Sequence, residues 1–483
     1  MTVQRTQLWI GGKWVPGAQT VTLKNPHTGE AIAEIDYASV EQAETAIEAA
    51  HAAFTSFQGT PAHRRAEILY RAAERLQARL EEAARIIAAE GAKPIVAARA
   101  EMERTIQTYQ FAAEAAKAVH GTTVPMDAAP RGERHTAYVI KRPIGVVSAI
   151  TPFNFPFNLV AHKVGPAIAA GNTIVLKPAE QTPLSALFLA DVFREAGLPD
   201  GVLNIIPGYG HELGEVLSTH RHVAFVTFTG SPRVGKIIRA QAGLRKVTLE
   251  LGSNSPLLVD EGFSEAELDR IVAETAGGAF SYNGQVCISI QRVYVHQSQF
   301  ESFTEKLAAR AAQLRVGDPM DESTDISALI NEAAANRLKG WLNHAVLRGA
   351  KVRTGGKFDG SIMYPTVLTD VPTDVELNCE EAFGPVVTVT PFDTWTQAIE
   401  MANNSKFGLN AGVFTKNIER AFQAAERLET GGVLINQIPT FRVDQMPYGG
   451  IKESGSGREG VQYAMEDMME VKMVAFRTGV FAE

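Results

Sequence analysis

Between residues 143 and 251 the chain alternates apolar strand-like runs with helical stretches, and this rhythm limits its fold more than any other feature. Strand runs at 145–150, 173–178, 202–206, 223–228 and 246–251 are separated by helix-like segments at 159–170 and 182–196 and by one containing Gly214. The run at 145–150 reads as a buried strand. Strands covered on both faces and joined by helices form a parallel, doubly wound sheet, and such sheets bind ligands at the carboxyl ends of their strands. Asn154, Lys177, Ser231 and Glu250 stand at those ends. Any one of them alone reads as a satisfied turn residue; together they would line one crevice. The spacings Gly208-x-Gly210-x-x-x-Gly214 and Gly230-Ser231-x-x-x-Gly235 put glycines where strands turn into helices, leaving N–H groups free for a pyrophosphate. Neither matches the G-x-G-x-x-G dinucleotide pattern, so the spacing alone is a weak signal.

The flanking regions extend this plan. Residues 8–37 read as short strands and turns. From 41 to about 119 the pattern turns helical, with Ile68, Leu69, Ala72, Leu76 and Leu80 on one stripe, and breaks at Pro61 and at Gly91-Ala92-Lys93-Pro94 predict about three helices. Arg104 falls on the last of them and, taken alone, reads as a solvated face charge. Residues 136–142 alternate as a strand that needs a partner, which fits an extended oligomerisation arm, and 470–476 could pair with it. Helical runs at 264–281, 298–314 and 395–402 and strands at 386–389 and 432–436 predict a second α/β domain.

Composition narrows the partners. A net charge of −8 with no long run of one sign argues against nucleic acid and for a small-molecule ligand. Two cysteines far apart in sequence form no disulfide framework and fit a reducing, cytoplasmic setting. The N-terminus lacks an apolar signal core. The most apolar region, 144–176, is interrupted by Asn154, Asn158, His162 and Lys163, so no membrane span is expected.

One of the two cysteines, Cys287, lies in Tyr282-Asn283-Gly284-Gln285-Val286-Cys287-Ile288-Ser289, a glycine-containing break between helical and strand-like runs. Such a break could set the sulfur beside backbone N–H groups and make it a nucleophile. On this stretch alone a buried packing cysteine is the simpler reading.

The rest of the chain reverses that reading. Pro152-Phe153-Asn154-Phe155-Pro156, Lys177-Pro178-Ala179-Glu180, Phe228-Thr229-Gly230-Ser231, Leu249-Glu250-Leu251-Gly252, Gly284-Gln285-Val286-Cys287, Glu380-Glu381-Ala382-Phe383-Gly384-Pro385 and the run from Pro447 to Gly455 resemble, in order and over nearly the full length, the aldehyde dehydrogenase superfamily. The resemblance implies an α/β fold with a Rossmann-like parallel-sheet cofactor domain (1–121 and 143–250, rejoined by 447–465), a catalytic α/β domain (251–446) and a small β oligomerisation arm (122–142 and 466–483). It implies a homodimer or homotetramer with no metal.

The same resemblance implies roles. Cys287 would attack the aldehyde to give a thiohemiacetal, Asn154 and the Cys287 N–H would form the oxyanion hole, and Glu250 would activate the water that hydrolyses the resulting thioester. Ile150, Thr151, Pro152, Phe153, Lys177, Pro178, Ala179, Glu180, Gly208, Gly214, Phe228, Thr229, Gly230, Ser231, Val234, Leu251, Gly252, Glu381 and Phe383 would line the dinucleotide site. Glu180 at the adenosine ribose would favour NAD over NADP by repelling a 2′-phosphate. Cys379 has no implied role and is read as packing. Thr440–Pro447, Gly457–Gly460, Glu103–Thr105 and Cys287–Arg292 are similar to the lactaldehyde, phosphonoacetaldehyde and non-phosphorylating glyceraldehyde-3-phosphate branch. Arg104 and Arg442 are therefore candidates to hold a substrate anion, with a neutral hydroxyaldehyde equally open. Arg292 reads as structural. Family members that release acyl-CoA typically lack a glutamate at the position of Glu250, so its presence implies a free acid. A CoA-acylating relative and a catalytically silent binding relative are the competing readings.

Overall fold

The computed structural model describes residues 4–478; positions 1–3 and 479–483, which the expected domain and arm boundaries include, lie outside the described residues. Five parallel strands form the centre of one sheet in the order Lys246–Glu250, Val223–Thr229, Val146–Ile150, Thr173–Lys177 and Leu203–Ile205. The chain lays down three strands in one direction from Val146–Ile150 and then two on its other side. The switch point therefore falls between Val146–Ile150 and Val223–Thr229, where an open sheet leaves a crevice at its carboxyl edge. Every residue of Val146–Ile150 and Thr173–Lys177 is buried, the polar Ser148, Thr173 and Lys177 included. The hairpin of Leu8–Ile10 and Lys13–Val15 extends one edge antiparallel, and Gly455–Ser456 closes the other.

The helical region holds four helices, not three: Val40–Phe57, Ala62–Ala78, Leu80–Gly91 and Ile95–Lys117. The missed break is at Arg79, whose φ of −115° and ψ of 21° leave the helical region. No proline or glycine marks it. Leu76 and Leu80 are four apart and keep the apolar stripe in phase across the kink, so the periodicity reads as one helix.

A second sheet runs Lys351–Thr354, Thr366–Thr369, Val386–Phe392, Arg292–His296, Pro256–Val259, Asn410–Phe414 and Gly432–Ile435, parallel except at its first strand. Residues 251–255 carry the chain from one sheet to the other. Leu251 N–H donates to the Ser454 carbonyl, which fastens this crossing to the segment that returns to the first sheet. His135–Pro143 pairs antiparallel with Met469–Arg477 in an unbroken register, flanked by the short strand Thr123–Val124. Among the described residues no helix is long and apolar enough to cross a membrane.

Candidate active site

The helix Glu265–Phe280 ends in a turn where Tyr282, Asn283 and Gly284 all have positive φ, at 46°, 57° and 69°. Two of these residues carry side chains, so the surroundings must hold the strain. They do so with specific bonds. Asn283 donates to the Ala328 carbonyl at 2.8 Å and accepts from Ser327 N–H at 2.7 Å; Tyr282 Oη donates to the Gly91 carbonyl at 3.0 Å; Gln285 Oε1 accepts from Ile330 N–H at 2.9 Å. Gly284 is the tightest point, since a Cβ there would lie 2.1 Å from the Gly384 carbonyl oxygen. The turn delivers Cys287, half-buried, to the wall of a cavity of about 240 Å³ that Phe155, Asn158, Arg104, Arg442 and Tyr448 also line. Cys287 thus borders the cavity while also packing against Ile288, Leu409 and Tyr448. Burial pushes its thiol up to about 11, while a contact of 2.9 Å with Tyr448 Oη and the nearby Arg442 charge work in the opposite direction.

Asn154 lies on the loop after the central strand Val146–Ile150. Its Nδ2 donates to the Gln285 carbonyl at 3.0 Å, so the amide sits against the cysteine turn, and its Oδ1 is buried without a partner among the described residues. One buried ion pair clamps this loop. Lys93 pairs with Glu101 and donates to the Asn154 carbonyl at 2.7 Å; Glu101 accepts from the N–H groups of Phe157 and Asn158 at 3.0 and 3.2 Å. The Lys93 ammonium also lies 3.8 Å from the Phe155 ring centre and 4.3 Å from that of Tyr282.

Glu250 ends its strand buried, with neither carboxylate oxygen hydrogen-bonded among the described residues. Burial, reinforced by the negative charge of Glu459, pushes its pKa well above the ordinary carboxylate value. Burial also opposes the ionisation of Glu459, but Lys163 at 2.9 Å and Arg442 at 3.2 Å overcome it and hold that acid ionised. The charges continue outward. Arg442 Nη2 lies 3.2 Å from His162 Nε2, His162 Nε2 lies 2.8 Å from Asp444, and Asp444 accepts from Arg104 at 2.7 Å. Arg104 is thus not the solvated face charge its helix position suggests; it is paired and lines the cavity. Arg442 has a side chain only 5% exposed, its guanidinium carbon 3.7 Å from the Tyr448 ring centre and its Nε without a partner among the described residues.

The remaining predicted residues gather along the carboxyl edge of the first sheet. Lys177 Nζ donates to the Pro178 carbonyl at 3.0 Å and lies 3.4 Å from Glu180, whose Oε1 accepts from Gly210 N–H at 2.8 Å at the start of the helix Gly210–Thr219. Thr151 N–H donates to the Lys177 carbonyl, Ile150 pairs with both Lys177 and Phe228, and Thr229 pairs with Glu250. Ala179 sits in the turn between, its carbonyl accepting from Thr182 N–H. Ser231 caps the helix Pro232–Gln241 by accepting from Val234 N–H at 3.4 Å. Glu381 accepts from Ser253 N–H at 2.9 Å and leans over Gly252, where a Cβ would stand 2.7 Å from its carboxylate; burial raises its pKa to about 7. Phe383 meets Phe153, the neighbour of Pro152, edge to face at 5.6 Å. A buried ammonium, a carboxylate at a helix N-terminus and a glycine-floored cradle under a second carboxylate are groups that could hold the riboses and pyrophosphate of a nicotinamide dinucleotide. Three glycines have other surroundings: a Cβ at Gly208 would strike Leu213, one at Gly230 the Phe228 ring, and Gly214 faces open space.

Arg292 is structural, as expected, bonding the carbonyls of Asn254, Met401 and Ala402. Cys379 is half-buried, its sulfur 3.8 Å from the Asp374 carbonyl. Sequence reasoning missed Lys93, Glu101, His162, Lys163, Asp444, Tyr448 and Glu459. Asp444, Tyr448 and Glu459 lie inside the motif stretches, but nothing local marks their side chains as partners of the site.

The aldehyde dehydrogenase family model matches residues 14–474. A 3-sulfolactaldehyde dehydrogenase of Priestia aryabhattai is 44% identical over 98% of this chain and 98% of its own length. Aldehyde dehydrogenase 21 from Physcomitrella patens, solved in complex with the reaction product succinate, superposes with a TM-score of 0.96 at 38% identity over 100% of both chains. The glyceraldehyde-3-phosphate dehydrogenase GapN of Methanocaldococcus jannaschii, solved with NADP, gives 0.91 at 37% identity over 95% of this chain and 100% of that one.

Proposed function

The chain belongs to the aldehyde dehydrogenase family, and from that premise we propose that it oxidises a short hydroxyaldehyde carrying a terminal anion, a sulfonate or carboxylate, to the free acid. It is an NAD(P)-dependent oxidoreductase acting on an aldehyde group. The observation that carries the substrate reading is Arg442 on the same cavity wall as Cys287, its buried Nε still unpartnered among the described residues. Thr440 Oγ1, also buried and without a partner among the described residues, belongs to a residue lining the same cavity. The volume of about 240 Å³ is below the roughly 300–1,000 Å³ of pockets that take drug-sized ligands, which favours a substrate of a few carbons.

The residues divide the work as follows. Cys287 attacks the carbonyl carbon, and its own N–H with Asn154 Nδ2 receives the oxygen as it gains charge. The dinucleotide, when bound, would supply the acceptor for the hydride that leaves the tetrahedral carbon of the Cys287 adduct to give the thioester. Lys177 and Glu180 would hold its adenosine ribose, Ser231 its pyrophosphate and Glu381 the second ribose. Glu250 takes a proton from water, which adds to the thioester and releases the acid and the thiol. A basic carboxylate suits this step, and its raised pKa makes Glu250 one. A CoA-acylating reaction would not need that group.

A neutral lactaldehyde is the second reading. It is favoured by the carboxylate partners of both arginines, Asp444 for Arg104 and Glu459 for Arg442, which leave the wall close to neutral. NADH formation from sulfolactaldehyde, succinate semialdehyde and lactaldehyde, in wild type and in Arg442→Met, decides between them. A selective rise in KM for the charged aldehydes supports the anion reading; equal loss on all of them refutes it. Cys287→Ala that still turns over would refute the reaction itself. The His135–Pro143 and Met469–Arg477 ribbon exposes Tyr138, Val471, Met473 and Phe476, which supports a homo-oligomer built through this arm. The half-buried free thiols fit a cytoplasmic setting.

A further inference from the structure

Tyr448 is held by a closed ring of contacts. Its backbone exchanges two hydrogen bonds with Glu459, at 3.0 and 2.6 Å. Glu459 pairs with Arg442 at 3.2 Å, and the Arg442 guanidinium lies back over the Tyr448 ring at 3.7 Å. The ring is 3% exposed, and its hydroxyl has one hydrogen-bond contact among the described residues, the Cys287 sulfur at 2.9 Å. A buried hydroxyl fixed by three interactions elsewhere in its residue and aimed at one reactive atom is not packing alone.

We propose that the Tyr448 hydroxyl is a catalytic hydrogen-bond donor to the Cys287 sulfur, aimed by the Arg442–Glu459 pair. A thiol can donate or accept in this contact, but a thiolate only accepts, so the phenol then supplies the proton of the bond. Burial keeps the phenol protonated well above its ordinary range. The cation over the ring face draws electron density from it and strengthens the O–H as a donor. The thiol proton leaves to water in the cavity before attack. Tyr448 keeps its own proton throughout, and the sulfur lone pair forms the C–S bond as the carbonyl π pair moves to oxygen. The bond is then relinquished, since the sulfur in the adduct carries no charge.

Two effects compete. Stabilising the thiolate raises its population at neutral pH tenfold for each unit of lowered thiol pKa. It also lowers nucleophilicity with a Brønsted slope of about 0.4–0.5, roughly threefold per unit, so the net gain is about threefold per unit. The donor therefore accelerates attack wherever the thiol is mostly protonated, which burial ensures here.

The inference rests on Cys287 being the nucleophile of the proposed reaction, and its test is separable from that reaction. The full-length enzyme, without dinucleotide or aldehyde, is alkylated with iodoacetamide between pH 6 and 10, and labelling of Cys287 is followed by peptide mass spectrometry so that Cys379 does not contribute. Tyr448→Phe keeps the ring and its stack. It should label about three- to tenfold more slowly at pH 7, with kcat/KM for lactaldehyde falling by a similar factor and KM for the dinucleotide unchanged. Labelling as fast as wild type, or faster, overturns the proposal. If the phenylalanine variant does not fold, 3-fluorotyrosine placed at 448, with the same shape and a more acidic phenol, should label faster at pH 7, and an unchanged rate overturns it equally. Wild-type labelling in Tyr448→Phe beside an inactive Cys287→Ala removes only the tyrosine role. An active Cys287→Ala removes both that role and the reaction reading.

Discussion

Replacing Lys93 by methionine tests whether one buried ion pair sets the oxyanion amide. Lys93 is fully buried, as is its partner Glu101. Without the ammonium, the buried Glu101 carboxylate is left with only the N–H groups of Phe157 and Asn158. Breaking a buried pair by removing one partner costs about 3–5 kcal/mol, and the two retained amides place this case near the lower end. The Asn154 carbonyl also loses its donor, which adds about 1 kcal/mol. In activity, removing an oxyanion donor costs on the order of 10²–10³ in kcat; here the donor remains but its loop is released, so a loss of roughly ten- to a hundredfold is expected. The assays are the urea unfolding midpoint and steady-state kcat at saturating aldehyde. The double variant Lys93→Met/Glu101→Gln leaves no stranded charge, so it should be more stable than Lys93→Met alone while kcat stays low, because nothing replaces the bond to the Asn154 carbonyl. A single variant within about 0.5 kcal/mol of wild type, the range of ordinary surface substitutions, with kcat retained, would refute the clamp.

Other outcomes follow from the same geometry. Glu250→Gln should release one equivalent of NADH per subunit and then stall, with steady turnover reduced on the order of 10²–10⁴-fold; a burst-free, normal steady state would remove Glu250 as the base. Glu459→Gln removes the charge that, after burial, most raises Glu250, so the Glu250 pKa should fall. The active base is the ionised form, so the acid limb of the kcat–pH curve should move to lower pH, and a fixed limb would contradict the coupling. Glu180→Ser removes the carboxylate that occupies the Gly210 N–H, and the NAD-to-NADP ratio of kcat/KM should narrow by about tenfold, equivalent to roughly 1.4 kcal/mol.

What could be read from the sequence was what short windows encode. The central strands are buried on both faces, so their runs are mostly apolar, and the polar residues at their ends stand out. The ribbon partner was visible as a strand-like run at 470–476 able to pair with 136–142, and the pairing extends over 469–477. The kink at Arg79 was hidden because Leu76 and Leu80 stay in phase through it. The buried charges were hidden for a different reason. Lys163 meets Glu459 across 296 positions and Arg104 meets Asp444 across 340, so a sequence displays each charge but not the partner that makes its burial tolerable. Tyr448 sits inside a motif stretch, yet the atom its hydroxyl addresses is 161 residues away.

The charges around the cavity also make the pH dependence a reporter of the substrate. Lys93, Lys163, Arg104 and Arg442 face Glu101, Asp444 and Glu459, while burial and the neighbouring Arg442 keep His162 neutral. With Arg458, whose charge also acts on Glu250, the cluster is net positive until Glu250 ionises. An acyl group whose far end carries a sulfonate beside Arg442 satisfies that charge first. Glu250 must then ionise in a more negative site, so its pKa in the acyl-enzyme rises and the acid limb of kcat moves to higher pH. A lactoyl group adds no charge and leaves the limb where it was. The kcat–pH curves for sulfolactaldehyde and lactaldehyde should therefore separate, the charged substrate lying on the alkaline side, and Arg442→Met should weaken both the binding of the anion and the selectivity for it. Superimposed acid limbs, with hydrolysis shown to be the slow step by the burst, would mean that no anion rests against Arg442 when the thioester is cleaved, and the arginine would then serve Tyr448 and Glu459 alone.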